Sequence, residues 1–95
     1  MSLEALTSKY ISSAEKVLKE LKQTKASISV TGEDVANILV WASDYLEDAK
    51  YYKAQGKFET SLTSVAYCEG LLDALRLLGA VKFEWPTNQE IKKLS

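Results

Sequence analysis

The chain has 95 residues, 46% of them hydrophobic, and its 12 basic and 13 acidic side chains nearly cancel to a net charge of -1. That length holds one core, so residues 1–95 are read as a single domain, and so even a charge balance lacks the basic footprint that neutralising nucleic acid phosphates requires. The absence of histidine removes the usual imidazole base, and a lone cysteine, Cys68, rules out an internal disulfide.

No apolar run approaches the roughly 18 residues a membrane span needs, and Met1 to Tyr10 lacks the pattern of a signal peptide. A soluble, cytoplasmic protein is expected, with no membrane partner.

In chain order, Leu3, Leu6, Tyr10, Ala14, Val17, Leu18 and Leu21 recur at spacings of three and four, which predicts a first helix over about 3–25 with one apolar stripe. Lys9, Lys16, Lys19, Lys22 and Lys25 lie off that stripe and, with Glu15 four residues before Lys19, read as a solvated face. Ser27-Ile28-Ser29-Val30 is too short to build a sheet and reads as a connector. Thr31 with Asp34 three residues later spells a capping box, and Val30 can staple onto Val35, so a second helix is predicted over about 32–55.

The core side of that helix reads Val35, Ile38, Leu39, Ala42, Leu46, Ala49 and the stem of Lys53, while Trp41, Tyr45, Tyr52 and Asp48 form an aromatic flank. Its first half, VANILVWA, is apolar almost all round and demands cover on more than one side. Gly56 is placed as a left-handed cap joining this helix to a third, over about 57–78, in an antiparallel hairpin. Centring the turn there puts Asp44 level with Cys68 and Asp48 with Ser64. The inner face of the third helix is expected to start with Phe58, Leu62 and Val65, then to swing to Leu71, Leu72, Leu75 and Leu78. Gly70 within it suggests a close backbone approach.

The remaining tail, 79–95, carries Val81, Phe83 and Trp85, too much apolar surface for a free end. These three are expected to fold over the ends of the first two helices near Leu21, Val35, Ile38 and Leu39, or else to dock on a second subunit. Thr87 to Glu90 spells another capping box, so a short fourth helix is expected. The fold predicted is all-α, an antiparallel three-helix bundle with a short C-terminal tail or fourth helix.

Catalytic machinery is sparse. Asp44 and Asp48 stand one turn apart on helix two, and Glu69 and Asp73 repeat the spacing on helix three, but only Asp44 and Glu69 fall at one level, and a di-metal bundle needs facing carboxylates with histidine support. No catalytic or metal-binding residue and no cofactor is therefore assigned. Glycines at 32, 56, 70 and 79 stand too far apart for a phosphate loop.

The candidate interaction or ligand surface comprises Asp44, Tyr45, Asp48, Tyr51, Tyr52, Glu69, Asp73 and Arg76, with Phe83 and Trp85 as a docking tail. Tyr51 is expected to be the best exposed aromatic, and Glu69, Asp73 and Arg76 also read as one solvent-facing strip in which Asp73 and Arg76 pair. The function expected is a non-catalytic interaction or scaffold module, binding another protein or itself as a homodimer. The alternative is a small-ligand or nucleotide-binding domain, hydrolytic if the four carboxylates hold a metal.

Two resemblances attach to these residues. Tyr52-x-x-x-Gly56-x-Phe58 is similar to the turn of a tetratricopeptide hairpin, but a single unit excludes a solenoid. Asp48-Ala49, Tyr51-Tyr52, Gly56-Lys57-Phe58 and the run Tyr67-Cys68-Glu69-Gly70-Leu71-Leu72-Asp73-Ala74 resemble, in order and separation, the archaeal family known as domain of unknown function 357. Lys57 stands where that family carries an acidic residue. The resemblance implies a closed three-helix bundle and no established activity.

Overall fold

The computed structural model describes residues 2–24 and 27–94. Four helices follow in order: α1, Leu3–Glu20; α2, Gly32–Ala54; α3, Phe58–Leu77; and α4, Asn88–Leu94. No strand occurs among the described residues.

Each boundary has a local cause. Ser2 caps α1 by accepting from the amide of Ala5 at 3.1 Å. At the start of α2, the Thr31 hydroxyl accepts from the Asp34 amide while the Asp34 carboxylate accepts from the Thr31 amide, at 3.1 and 3.0 Å. Hydrogen bonding from Thr31, its backbone amide first and its side chain second, holds the Asp34 carboxyl below its ordinary pKa. Helix α2 ends where Gly56 turns to φ +75, with Lys57 N–H donating to Tyr52 C=O and Gly56 N–H to Lys53 C=O. Helix α3 repeats the closure: Gly79 has φ +77, Ala80 N–H donates to Leu75 C=O and Gly79 N–H to Arg76 C=O. Both are Schellman ends, and both use glycine because a side chain disfavours that backbone region.

α2 and α3 form the antiparallel hairpin that the Gly56 turn dictates, and they are the pair of elements in contact. Ala42, Ala49, Cys68 and Leu75 are buried between them. Three of these four side chains are small, which lets the helices approach closely, and the Ser61 hydroxyl donates to the Ala49 carbonyl across the gap at 2.7 Å. Tyr45 and Tyr67 meet with ring centroids 4.4 Å apart, the level pairing that a turn centred on Gly56 requires.

Three expectations are corrected here. The face of α3 toward α2 runs through Ser61, Val65, Cys68, Leu72 and Leu75, whereas Phe58 and Leu62 are exposed. The small-residue contact and the Ser61 bond rotate both of them outward. Gly70 faces no close approach, since nothing lies within 4 Å of where a Cβ would stand. Helix α1 stops at Glu20 rather than near 25: residues 21–24 are not helical, and Lys25 lies outside the described residues.

The early stop goes with the placement of α1. Among the described residues it packs against no other helix, and every one of its residues is exposed, Tyr10 to 63% and Leu18 to 74%. An 18-residue helix without tertiary cover is marginal, and Thr24 and Gln23 past the last apolar position have nothing to hold them helical. The chain is correspondingly open, with a radius of gyration of 16.3 Å against about 12 Å for a compact chain of this length. Among the described residues no third helix packs beside α2 and α3.

Candidate functional site

The hairpin register gathers one set of functional side chains. Trp41, Asp44, Tyr45 and Asp48 project from one flank of α2, and Tyr67 reaches them from α3, together lining a hollow of about 490 Å³. The helical spacing of 41, 44, 45 and 48 places them on adjacent rows, and the Tyr45–Tyr67 contact forms the wall. Trp41 and Tyr67 are exposed. Neither Asp44 nor Asp48 has a hydrogen-bond or ion-pair partner among the described residues. Two unpaired carboxylates beside three aromatic faces suit a cation carried on an apolar stem, such as a lysine side chain.

The other candidates separate from this hollow. Tyr51 and Tyr52 contact each other edge to face at 5.3 Å near the hairpin turn, and Tyr51 is less exposed than Tyr10, Phe58 or Trp41. Those three look outward because α1 covers nothing and because the α3 contact face excludes Phe58. Glu69 and Asp73 lie by a different depression, shared with Gly70 and Trp85. The sequence reading omitted Trp41 and Tyr67 from the candidate surface; the level pairing of 45 with 67 was the signal that could have supplied the second.

The tail takes an unexpected path. Ala80 borders a hollow with Ile28, Val30, Val35 and Leu78, so the chain does leave α3 beside the start of α2. Beyond it, Trp85 turns to α3 instead of reaching Leu21, Val35, Ile38 and Leu39. Its indole N–H donates to Asp73, Arg76 donates to the same carboxylate, the Arg76 guanidinium lies 5.9 Å from the Phe83 ring centre, and Phe83 meets Trp85 edge to face at 4.9 Å. The physical reason is the indole: its N–H needs an acceptor, which the apolar set around Ile38 does not offer and Asp73 does. Arg76, and after it Trp85, hold the Asp73 carboxyl below its ordinary pKa.

Helix α4 follows, with the Glu90 amide donating to the Thr87 hydroxyl at 3.2 Å. Burial, with a smaller push from Glu69, raises the pKa of Cys68, which keeps its thiol protonated and inert at neutral pH.

No group of three or more cysteine or carboxylate side chains positioned to hold a metal ion occurs among the described residues. No helix among them is long and apolar enough to cross a membrane.

No curated protein and no solved structure matches the chain. A family model does, over residues 9–81, which takes in most of α1, all of the hairpin and the root of the tail. The chain thus belongs to the family described as "Protein of unknown function (DUF357)".

Proposed function

We propose that this protein is a non-catalytic interaction module whose α2–α3 hairpin accepts an amphipathic helix, and that the accepted helix completes an antiparallel three-helix bundle. The observation that carries this reading is surface left over. The chain exposes 8476 Å², whereas a compact monomer of this size exposes about 5,500 Å². The excess, on the order of 3,000 Å², is in the range that obligate protein interfaces bury.

Both partners of the missing contact are amphipathic. The stripe of α1 lies bare, and Leu39, Trp41, Leu46, Phe58 and Leu62 are exposed on the hairpin. Contiguous apolar faces left to water in this way mark interaction surfaces. Helix-in-groove recognition accounts for it with the side chains present and needs no reaction.

The test is a titration of the full chain, carrying Trp85→Phe, with a synthetic peptide of residues 3–22. Saturable change in Trp41 emission, absent with a scrambled peptide of the same composition, is expected. No response to the peptide at any concentration contradicts the helix-accepting reading.

A further inference from the structure

We infer that the helix accepted by the hairpin is α1 of a second copy, exchanged reciprocally, so that the Trp41–Asp44–Asp48 hollow is complete only in the dimer. This rests on the helix-accepting reading and names its occupant.

The first support is charge. Residues 1–26 carry five lysines against three glutamates, whereas the hairpin, 32–78, carries four basic side chains against eight carboxylates. A basic arm and an acidic receptor of one chain attract between copies and steer their encounter. The hollow concentrates that contrast, with two unpaired carboxylates, and α1 presents Lys9 with its ammonium 5.8 Å from the centre of the Tyr10 ring.

The second support is the connection. Both turns that reverse this chain use a glycine at positive φ, Gly56 and Gly79. Between Leu21 and Thr31 there is no glycine, proline, asparagine or aspartate, and the backbone is extended at both ends, ψ 149 at Leu21 and ψ 164 at Thr31. Ile28, Val30 and Thr31 favour that extended form. Among the described residues α1 makes no contact with its own hairpin, the shape that one protomer of an exchanged dimer has.

Complementary charge reversal tests the inference. One chain carries Lys9→Glu and Lys16→Glu, the other Asp44→Lys and Asp48→Lys, and all these positions are exposed. Light scattering at low salt should give two chains per particle for the unaltered protein. Each variant alone should self-associate on the order of tenfold more weakly, because like charges meet. An equimolar mixture should recover two-chain particles, since each reversed arm then meets a reversed receptor. Recovery also shows that both variants fold.

A mixture no more associated than either variant alone overturns the inference, and so does unaltered protein that stays single-chained at every concentration. A single-chained protein that still answers the α1 peptide keeps the helix-accepting reading and loses only the exchange. One that does neither loses both.

Discussion

The indole N–H of Trp85 donates to Oδ1 of Asp73 at 3.2 Å, and the same oxygen accepts from Nε and Nη2 of Arg76 at 3.0 and 2.8 Å. One exposed carboxylate thereby ties the tail to α3. In a Trp41→Phe background, Asp73→Ala should shift Trp85 emission to the red and raise its quenching by acrylamide. Unchanged emission would detach the tail from this contact.

Acid should release the same tie. The Asp73 carboxyl has a lowered pKa, from Arg76 first and Trp85 second, so what it contributes is present above its unfolded value and is lost as pH falls through the lower, folded value. Trp85 emission should stay constant from neutral pH to about 4 and move only below it. A transition centred above pH 5 would contradict the assignment.

Two glycine substitutions should have opposite signs. Gly70 lies inside α3 with open space around its missing Cβ, so Gly70→Ala should stabilise by roughly 0.5–1 kcal/mol and raise Tm by several degrees. Gly56 has φ +75, so Gly56→Ala should cost about 1–2 kcal/mol. Thermal melts of the two variants check both, and a destabilised Gly70→Ala would indicate a close neighbour.

Leu75 is the largest fully buried side chain, 1% exposed, while Leu18 is 74% exposed. Leu75→Ala should cost about 2–5 kcal/mol, enough to unfold so small a core. Leu18→Ala should change the stability of dilute protein by less than about 0.5 kcal/mol and yet weaken self-association. Denaturant melts at low concentration, paired with light scattering, separate the two effects.

Much of the fold was legible because its signals are local. Thr31 and Asp34 announce the start of α2, Gly56 and Gly79 the turns, and the turn position alone sets Tyr45 against Tyr67. The placement of α1 was not legible, because a stripe from Leu3 to Leu21 says which side seeks cover and nothing about what covers it. The all-helical fold expected is present, and among the described residues its packed part is the α2–α3 hairpin.

Within the candidate site, Asp44, Tyr45 and Asp48 came together as their helical spacing required. Glu69 and Asp73 did not join them, because the contact face of α3 is set by Ser61, Cys68 and Leu75, which turns both carboxylates toward Trp85. The inner roles expected of Phe58 and Leu62 failed for the same reason: apolar periodicity could not show that small side chains would make the contact. The path of the tail depended on a hydrogen bond between residues twelve apart, which no sequence period encodes.

Small-angle X-ray scattering of the unaltered protein across a dilution series, read for mass and radius together, decides whether the bundle is completed between copies. Two-chain particles are expected, dissociating on dilution into single chains with a radius of gyration near 16.3 Å. A single chain of about 12 Å at every concentration would contradict it, because α1 would then lie on its own hairpin.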